Sequence, residues 1–260
     1  MERLARPVAD PGGHLGIAGA RAGVAGVVGV DQDPPGPLVG EPQTVRLRSV
    51  LQIADTHDGA TTREGDHTGE LFTLMSGWAF RFRTLIDGRR KILNFLLPGD
   101  FIGLQDQLGQ PSPHGVEAVT DCVLCEFPSK QLWDLYRSHP ALGFDITWIS
   151  AHEELIVDEN LLSVGRRSAA ERIAMLLVHL FKRAEIVGLG SPDGVQMPLN
   201  QQHIADALGL SLVHTNKTLK RLQAAGLYTL KNGRLKLTNP AAINRLADYY
   251  ALPLRGRPLI

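Results

Sequence analysis

The sequence predicts an α+β chain with an N-terminal antiparallel β-roll or jelly roll, then one long helix, then a C-terminal unit of short helices closed by a hairpin. Three observations carry this. Short runs with period-2 apolar alternation and Gly-containing turns fill residues 45–127. An apolar repeat of seven follows Pro140. After Ser168 the apolar spacing becomes that of capped amphipathic helices. The expected organisation is a Gly/Pro/Ala-rich extension over 1–44, a β-roll over 45–139, the long helix over 140–166, the helical unit over 167–250 and a tail over 251–260.

At 260 residues, with 43% hydrophobic and 21% charged content, the chain can build one large domain or two modest ones, each with its own core. No apolar run reaches the roughly 18 residues of a membrane span, so no membrane partner and a cytoplasmic location are expected. Residues 11–40 hold nine Gly and four Pro without helical or strand period, and disorder is expected there. A signal peptide fits poorly, because Arg21 and frequent Gly interrupt the apolar stretch; an over-extended start fits equally well.

The strands come first. Trp78, Phe80 and Phe82 alternate with Ala79, Arg81 and Arg83, the pattern of a half-buried strand. Asp87-Gly88 turns the chain into a returning strand at Lys91–Leu97, Pro98-Gly99-Asp100 turns it again, and Phe101-Ile102 and Val116–Phe127 continue the sheet. Repeated short strands of this kind indicate a barrel or jelly-roll sandwich. The two cysteines, Cys122 and Cys125, stand three apart on a strand and so face opposite ways. That spacing suits structural thiols better than a metal site.

The long helix follows. Leu142, Ile149 and Ile156 are spaced by seven, as are Trp148, Leu155 and Leu162. Such a stripe fits a dimer seam, although packing on the β-domain would look similar. The next helix starts at Ser168, whose spacing to Glu171 is that of a capping box, and Ile173, Leu176, Leu177, Leu180 and Phe181 follow on one face.

The informative stretch is Leu199–Leu222. Asn200 caps a helix over Gln201–Leu208 with Ile204, Ala205 and Leu208 inward. Gly209 ends it, and Ser211 caps a second helix reaching about Ala225. Ala205 allows a close crossing and Gly209 a tight turn, which is helix-turn-helix spacing. The second helix would present Leu212, Val213, His214, Asn216, Lys217, Lys220 and Arg221. Asn can pair with adenine and Lys with guanine acceptors, while the later basic residues suit phosphates. Leu230–Leu237 reads as a hairpin turning at Asn232-Gly233, a wing that carries Lys231 and Arg234. Thr215 and Thr218 stand where such units usually place aliphatic residues. Charge agrees: residues 166–260 carry 14 basic and 5 acidic residues, inside a chain of net charge zero. A basic C-terminal part beside an acidic N-terminal part points to a polyanion partner, here double-stranded DNA. The expected DNA-contacting set is Gln201, Gln202, Ser211, His214, Asn216, Lys217, Lys220, Arg221, Lys231 and Arg234; the expected dimer set is Leu142, Trp148, Ile149, Leu155, Ile156 and Leu162.

These features together resemble the Crp/Fnr family of bacterial regulators. The resemblance is carried by Leu71-Phe72-Thr73-Leu74-Met75-Ser76-Gly77-Trp78, Asp87-Gly88-Arg89-Arg90 and Leu97-Pro98-Gly99-Asp100-Phe101-Ile102-Gly103, with the Ser168–Leu180 helix and Pro198–Leu237. It implies a cyclic-nucleotide-binding-like β-roll that senses a signal, a dimerisation helix and a winged helix-turn-helix. It also implies a homodimer on a near-palindromic operator, with RNA polymerase as a further partner. The departures bear on the effector. Cyclic-nucleotide-responsive members carry Gly-Glu where this chain has Gly103-Leu104, and Arg-Ser where it has Pro113-His114-Gly115. A buried cyclic phosphate needs a positive partner, so a cyclic nucleotide is not the expected ligand. No cysteine precedes Cys122, so four thiolates for an iron-sulfur cluster are missing. The family's Glu-x-x-Ser-Arg-type base-reading set is missing too, with Leu212 and Val213 near its positions, which implies a different operator. The cofactor is unknown. Heme, a gas, an organic ligand or a redox signal through Cys122 or Cys125 stay open, as does constitutive activity.

Two other classes compete. A cupin-like metal enzyme would need His-x-His on adjacent strands, whereas His57, His67 and His114 are scattered; no catalytic arrangement is seen and no metal site is expected. A β-roll ligand-binding or interaction module without DNA binding would leave the basic helix and wing without a use.

Overall fold

The protein, seen in a computed structural model, is described over residues 50–53, 60–62, 65, 69–105 and 112–249. The expectations for the extension, the tail, His57 and His67 lie outside the described residues.

Eight strands come first: β1 (Val50–Ile53), β2 (Ala60–Thr62), β3 (Glu70–Ser76), β4 (Ala79–Thr84), β5 (Arg90–Leu96), β6 (Phe101–Ile102), β7 (Gly115–Ala118) and β8 (Cys122–Pro128). They form two antiparallel four-stranded sheets in the orders β1-β8-β3-β6 and β2-β7-β4-β5, the β-roll that the turn spacing predicts. Phe72, Leu74, Ala79, Leu96, Ile102, Val116, Cys122 and Leu124 pack as one buried cluster drawn from both sheets. Gly77 makes one crossing possible, because a Cβ there would lie 2.3 Å from the Asp121 carbonyl oxygen.

The alternation in β4 has a different meaning from a half-buried strand. Ala79 and Arg81, on the supposed polar side, are buried, at 3% and 7% exposure. Ala79 joins the cluster within the roll, whereas Trp78 and Phe80 join the core that continues into the C-terminal half. Both faces of the strand are therefore covered. Arg81 is tolerated because its Nη1 pairs with Glu153 at 3.0 Å and its Nη2 donates to the Phe101 carbonyl at 2.8 Å. His114 is likewise buried rather than a surface histidine.

A short helix, α1 (Gln131–Ser138), precedes the long α2 (Pro140–Arg166). Ile146 and Ile149 of α2 pack on Leu71, Phe101 and Phe127 of the roll. This corrects the dimer set: Ile149 and Ile156, 1% and 5% exposed, are used within their own chain. The uncovered apolar side chains of α2 include Leu155 and Leu162, at 53% and 47% exposure, with Phe144 and Leu161, at 69% and 72%, which stand outside the repeat of seven. Trp148 and Leu142 are half-buried, and the Trp148 ring stacks on His152. Between roll and α2 lies a cleft of about 220 Å³ lined by Arg81, Phe101, Leu104, Gln105, Ile149, Ser150 and Glu153.

The C-terminal half contains α3 (Ala169–Ile186), the hairpin β9 (Gly190–Ser191) and β10 (Gly194–Gln196), α4 (Gln201–Leu208), α5 (Leu212–Ala224), β11 (Tyr228–Lys231), β12 (Arg234–Leu237) and α6 (Pro240–Ala247). The Ser168 capping box is formed, with Ser168 N donating to Glu171 Oε2 at 2.7 Å. Ile173, Leu177 and Leu180 of α3 pack with Ile204, Leu208, Leu219, Leu222, Leu235 and Ile243, and this core runs on into Phe80, Ile92, Phe95 and Leu97 of the roll.

Candidate nucleic-acid interface

Local chemistry builds the two-helix unit as its sequence requires. Asn200 Oδ1 accepts from His203 N at 2.8 Å, opening α4. Gly209 closes it in the left-handed region at φ 63°, where a side chain would be strained, and Leu210 N reaches back to the Ala205 carbonyl at 3.1 Å. Ser211 Oγ then accepts from His214 N at 3.3 Å, opening α5. Ala205 is 1% exposed at the crossing. Thr215 and Thr218, 0% and 3% exposed, fill the inward positions. Tyr228 anchors the wing beneath α5, its hydroxyl donating to the Leu219 carbonyl at 3.1 Å; burial pushes that phenol up to about 12, so it stays a donor.

The outward face of α5 carries His214, Lys217, Lys220 and Arg221, all exposed, with Val213 at 79% and Leu212 at 41% exposure at its head. Gln201 and Gln202 at the start of α4 are exposed as well, and Ser211 is spent as a cap with its side chain still open to solvent. The wing turns through Asn232 (φ 51°) and Gly233 (φ 70°), leaving Lys231 exposed near its tip.

Two predicted residues depart from that face. Asn216 is half-buried, with its Oδ1 enclosed and lacking a hydrogen-bond partner, so it does not share the exposure of its neighbours. Arg234 folds back, its Nη1 donating to Ser191 Oγ at 2.9 Å and to the Gly194 carbonyl at 3.2 Å. The 190–196 hairpin that receives it carries no periodic signal, so sequence reasoning could not foresee the contact. Among the described residues no group of His, Cys, Asp or Glu could hold a metal ion. Burial pushes the Cys122 and Cys125 thiols up, away from reactive thiolate.

A β-roll joined through a long helix to a winged helix-turn-helix with an exposed basic reading helix defines a DNA-binding regulator. The comparisons place it more narrowly. The family model for a cyclic nucleotide-binding domain matches residues 61–139, and that for a Crp-like helix-turn-helix domain matches residues 171–246. Nitrogen fixation regulation protein FixK of Bradyrhizobium diazoefficiens is 30% identical over 185 residues, covering 71% of this chain and 76% of that protein. Transcriptional activator protein FnrL of Cereibacter sphaeroides is 30% identical over 209 residues, covering 73% and 84%. The solved structure of FixK2 from Bradyrhizobium japonicum shares the fold at a TM-score of 0.68 and 22% identity, covering 78% of this chain and 98% of that one. The chain belongs to the Crp/Fnr family of transcriptional regulators.

Proposed function

We propose that the chain acts as a homodimer on a near-palindromic operator, reading bases with the head of α5 and phosphates with its later basic residues. The observation that carries this is the continuous exposed face of His214, Lys217, Lys220 and Arg221 on a helix capped by Ser211 and set over α4 by Gly209. Gln201, Gln202, Ser211 and Lys231 flank it as backbone contacts. Asn216 and Arg234 are left out for the reasons above. The domain division at 45–139, 140–166 and 167–250 belongs to the same reading, as do RNA polymerase as a partner, a cytoplasmic site of action and the absence of catalysis. The apolar face of Phe144, Leu155, Leu161 and Leu162 supports α2 as the dimer seam.

The signal enters through the roll. A cyclic nucleotide does not fit its cleft: the arginine there, Arg81, is neutralised by Glu153, and a cyclic phosphate would face that carboxylate. Leu104 also lines the cleft, where a ribose-binding carboxylate would be needed.

The test is fluorescence anisotropy on pooled genomic duplex at several salt concentrations, with sequencing of the bound fraction. Salt-sensitive binding that enriches an inverted repeat is expected. His214→Ala/Lys217→Ala should lose the enrichment, and Lys220→Ala should reduce the salt slope by about 1. Wild type should sediment as a dimer and Leu155→Glu/Leu162→Glu as a monomer. Salt-insensitive binding without enrichment would overturn the reading.

A further inference from the structure

The wing turns on a pair of residues whose own chemistry the DNA reading does not use. Asn232-Gly233 is the single Asn-Gly step among the seven asparagines of the chain. It joins β11 to β12 by a two-residue turn, with Lys231 and Arg234 paired across it and both turn residues in the left-handed region. Lys231, Asn232 and Gly233 are all exposed. Among the described residues the Asn232 side-chain amide and the Gly233 N–H make no hydrogen bond. The Gly233 carbonyl accepts from Met197 N at 2.7 Å, which pins the turn from one side. A Cβ built on Gly233 would meet no atom within 4 Å, so the space around this glycine is open.

An unengaged asparagine amide before a glycine sets an electrophile beside a nucleophile. Glycine has no side chain to shield its backbone nitrogen. Once that nitrogen gives its proton to water, it can attack Asn232 Cγ. The N–Cγ bond forms, the Cγ–Nδ2 bond breaks, and the amide nitrogen takes up a proton and leaves as ammonia. The product is a cyclic succinimide. Water then opens it at either carbonyl, leaving aspartate or, with the backbone rerouted through Cβ, isoaspartate. Water is the only co-reactant. The other asparagines are differently placed, and none precedes a glycine. Asn94 and Asn160 donate to Glu153 and to the Leu93 carbonyl, Asn200 and Asn239 cap helices, and the Oδ1 atoms of Asn216 and Asn244 are enclosed.

We infer that Asn232 is a self-modifying site whose deamidation loosens the hold of the wing on DNA. The effect on DNA rests on the DNA-binding reading above; the chemistry does not. Each event replaces a neutral amide by a carboxylate at the exposed tip, next to Lys231, a backbone-contact residue in that reading. A carboxylate there repels phosphates and offsets the lysine charge. Isoaspartate goes further, because its extra backbone atom lengthens a two-residue turn that the Lys231–Arg234 pair now closes. The change stays at the tip, since Tyr228 and Leu235 below it are buried in the core.

The experiment ages the purified full-length chain for days in mildly alkaline buffer. Peptides are then read by liquid chromatography and mass spectrometry, and affinity for the enriched duplex by anisotropy at several salt concentrations. Asn232→Gly removes the amide and keeps a turn-forming pair, while Asn232→Asp installs the charge without ageing. The expected result is conversion of Asn232 to aspartate and isoaspartate with Asn94 and Asn160 intact, several-fold weaker binding, and a salt slope lower by about 1. Asn232→Asp should bind more weakly from the start, and Asn232→Gly should lose nothing on ageing. An intact Asn232 in the aged chain, under conditions that convert it in the excised peptide, overturns the site. Conversion with unchanged affinity and slope, in a chain that binds duplex, overturns its effect on the wing. If even fresh protein binds no duplex, the DNA reading fails and the effect on DNA falls with it, while the peptide readout still decides the modification.

Discussion

Arg183 Nη2 donates to Asp100 Oδ2 at 2.5 Å with both side chains buried, at 5% and 0% exposure, which fastens the third helix to the turn after β5 by a charge pair shielded from water. Asp100 Oδ2 also accepts from Leu97 N at 2.7 Å, so the carboxylate organises its own turn while holding the arginine. Arg183→Leu would leave that carboxylate buried without its cation and should cost about 3–5 kcal/mol in urea unfolding. Arg183→Lys keeps the charge but loses the fork to Phe95 and Asn94, and should cost less. Equal costs for the two substitutions would show that the charge plays no part.

Val213 gives a test of base reading that does not depend on a charged residue. Its side chain is 79% exposed at the head of α5. An apolar side chain in the major groove finds its match in the thymine C5-methyl group. Replacing thymine by deoxyuridine at each operator position in turn should weaken wild-type binding at one position per half-site, several-fold, and Val213→Ser should abolish that difference. Equal binding to thymine and deoxyuridine throughout would remove Val213 from the reading set.

Thr215 should be improvable. It is fully buried, and its Oγ1 lacks a hydrogen-bond partner. Thr215→Val removes a stranded hydroxyl at nearly constant shape and should stabilise the fold by about 1 kcal/mol, read as a raised Tm. A lowered Tm would mean that the hydroxyl is satisfied in solution.

His203 of α4, whose ring lies 5.3 Å from that of Phe80 on β4, makes the docking of this helix on the roll depend on pH. Burial holds its imidazole below the ordinary value of 6.5, and the Arg90 guanidinium lowers it further against the opposing pull of Asp206. A docked histidine with a depressed pKa binds fewer protons than a free one. Docking is therefore at full strength above about pH 6.5 and weakens as pH falls through the window below it. The radius of gyration should grow on acidification across that window, and His203→Gln should flatten the change. An unchanged profile in the variant would assign the effect to other groups.

Elements with a chemical signature of their own could be read from sequence. Ser168, Asn200 and Ser211 are caps as their spacing requires, and Gly209 and Asn232-Gly233 turn where left-handed residues were needed. The start of α6 carries the same kind of signal, with Asn239 as cap and Pro240 at the first helical position. What periodicity could not supply is the identity of the surface that covers an apolar stripe. Ile149 and Leu155 sit on the same long helix, one buried by the roll and the other exposed, because the roll covers only one flank. Arg81 looked like a solvent residue because its partner, Glu153, lies 72 positions away and on a different element. The reading helix had a sharp signature, and the roll surface that packs on α4 beside it had none.

The aromatic stripe of β4 constrains how this regulator can change. Phe80 faces the reading head, and Ile92, Phe95 and Leu97 share its core, so sensor and reader are not interchangeable modules. Transplanting the roll of a relative onto this reading head would set an unmatched surface against α4 and expose the apolar side chains it now covers. Functional chimeras of this chain are therefore expected only where both sides of that seam are exchanged as a matched pair, and drift on one side must be answered on the other.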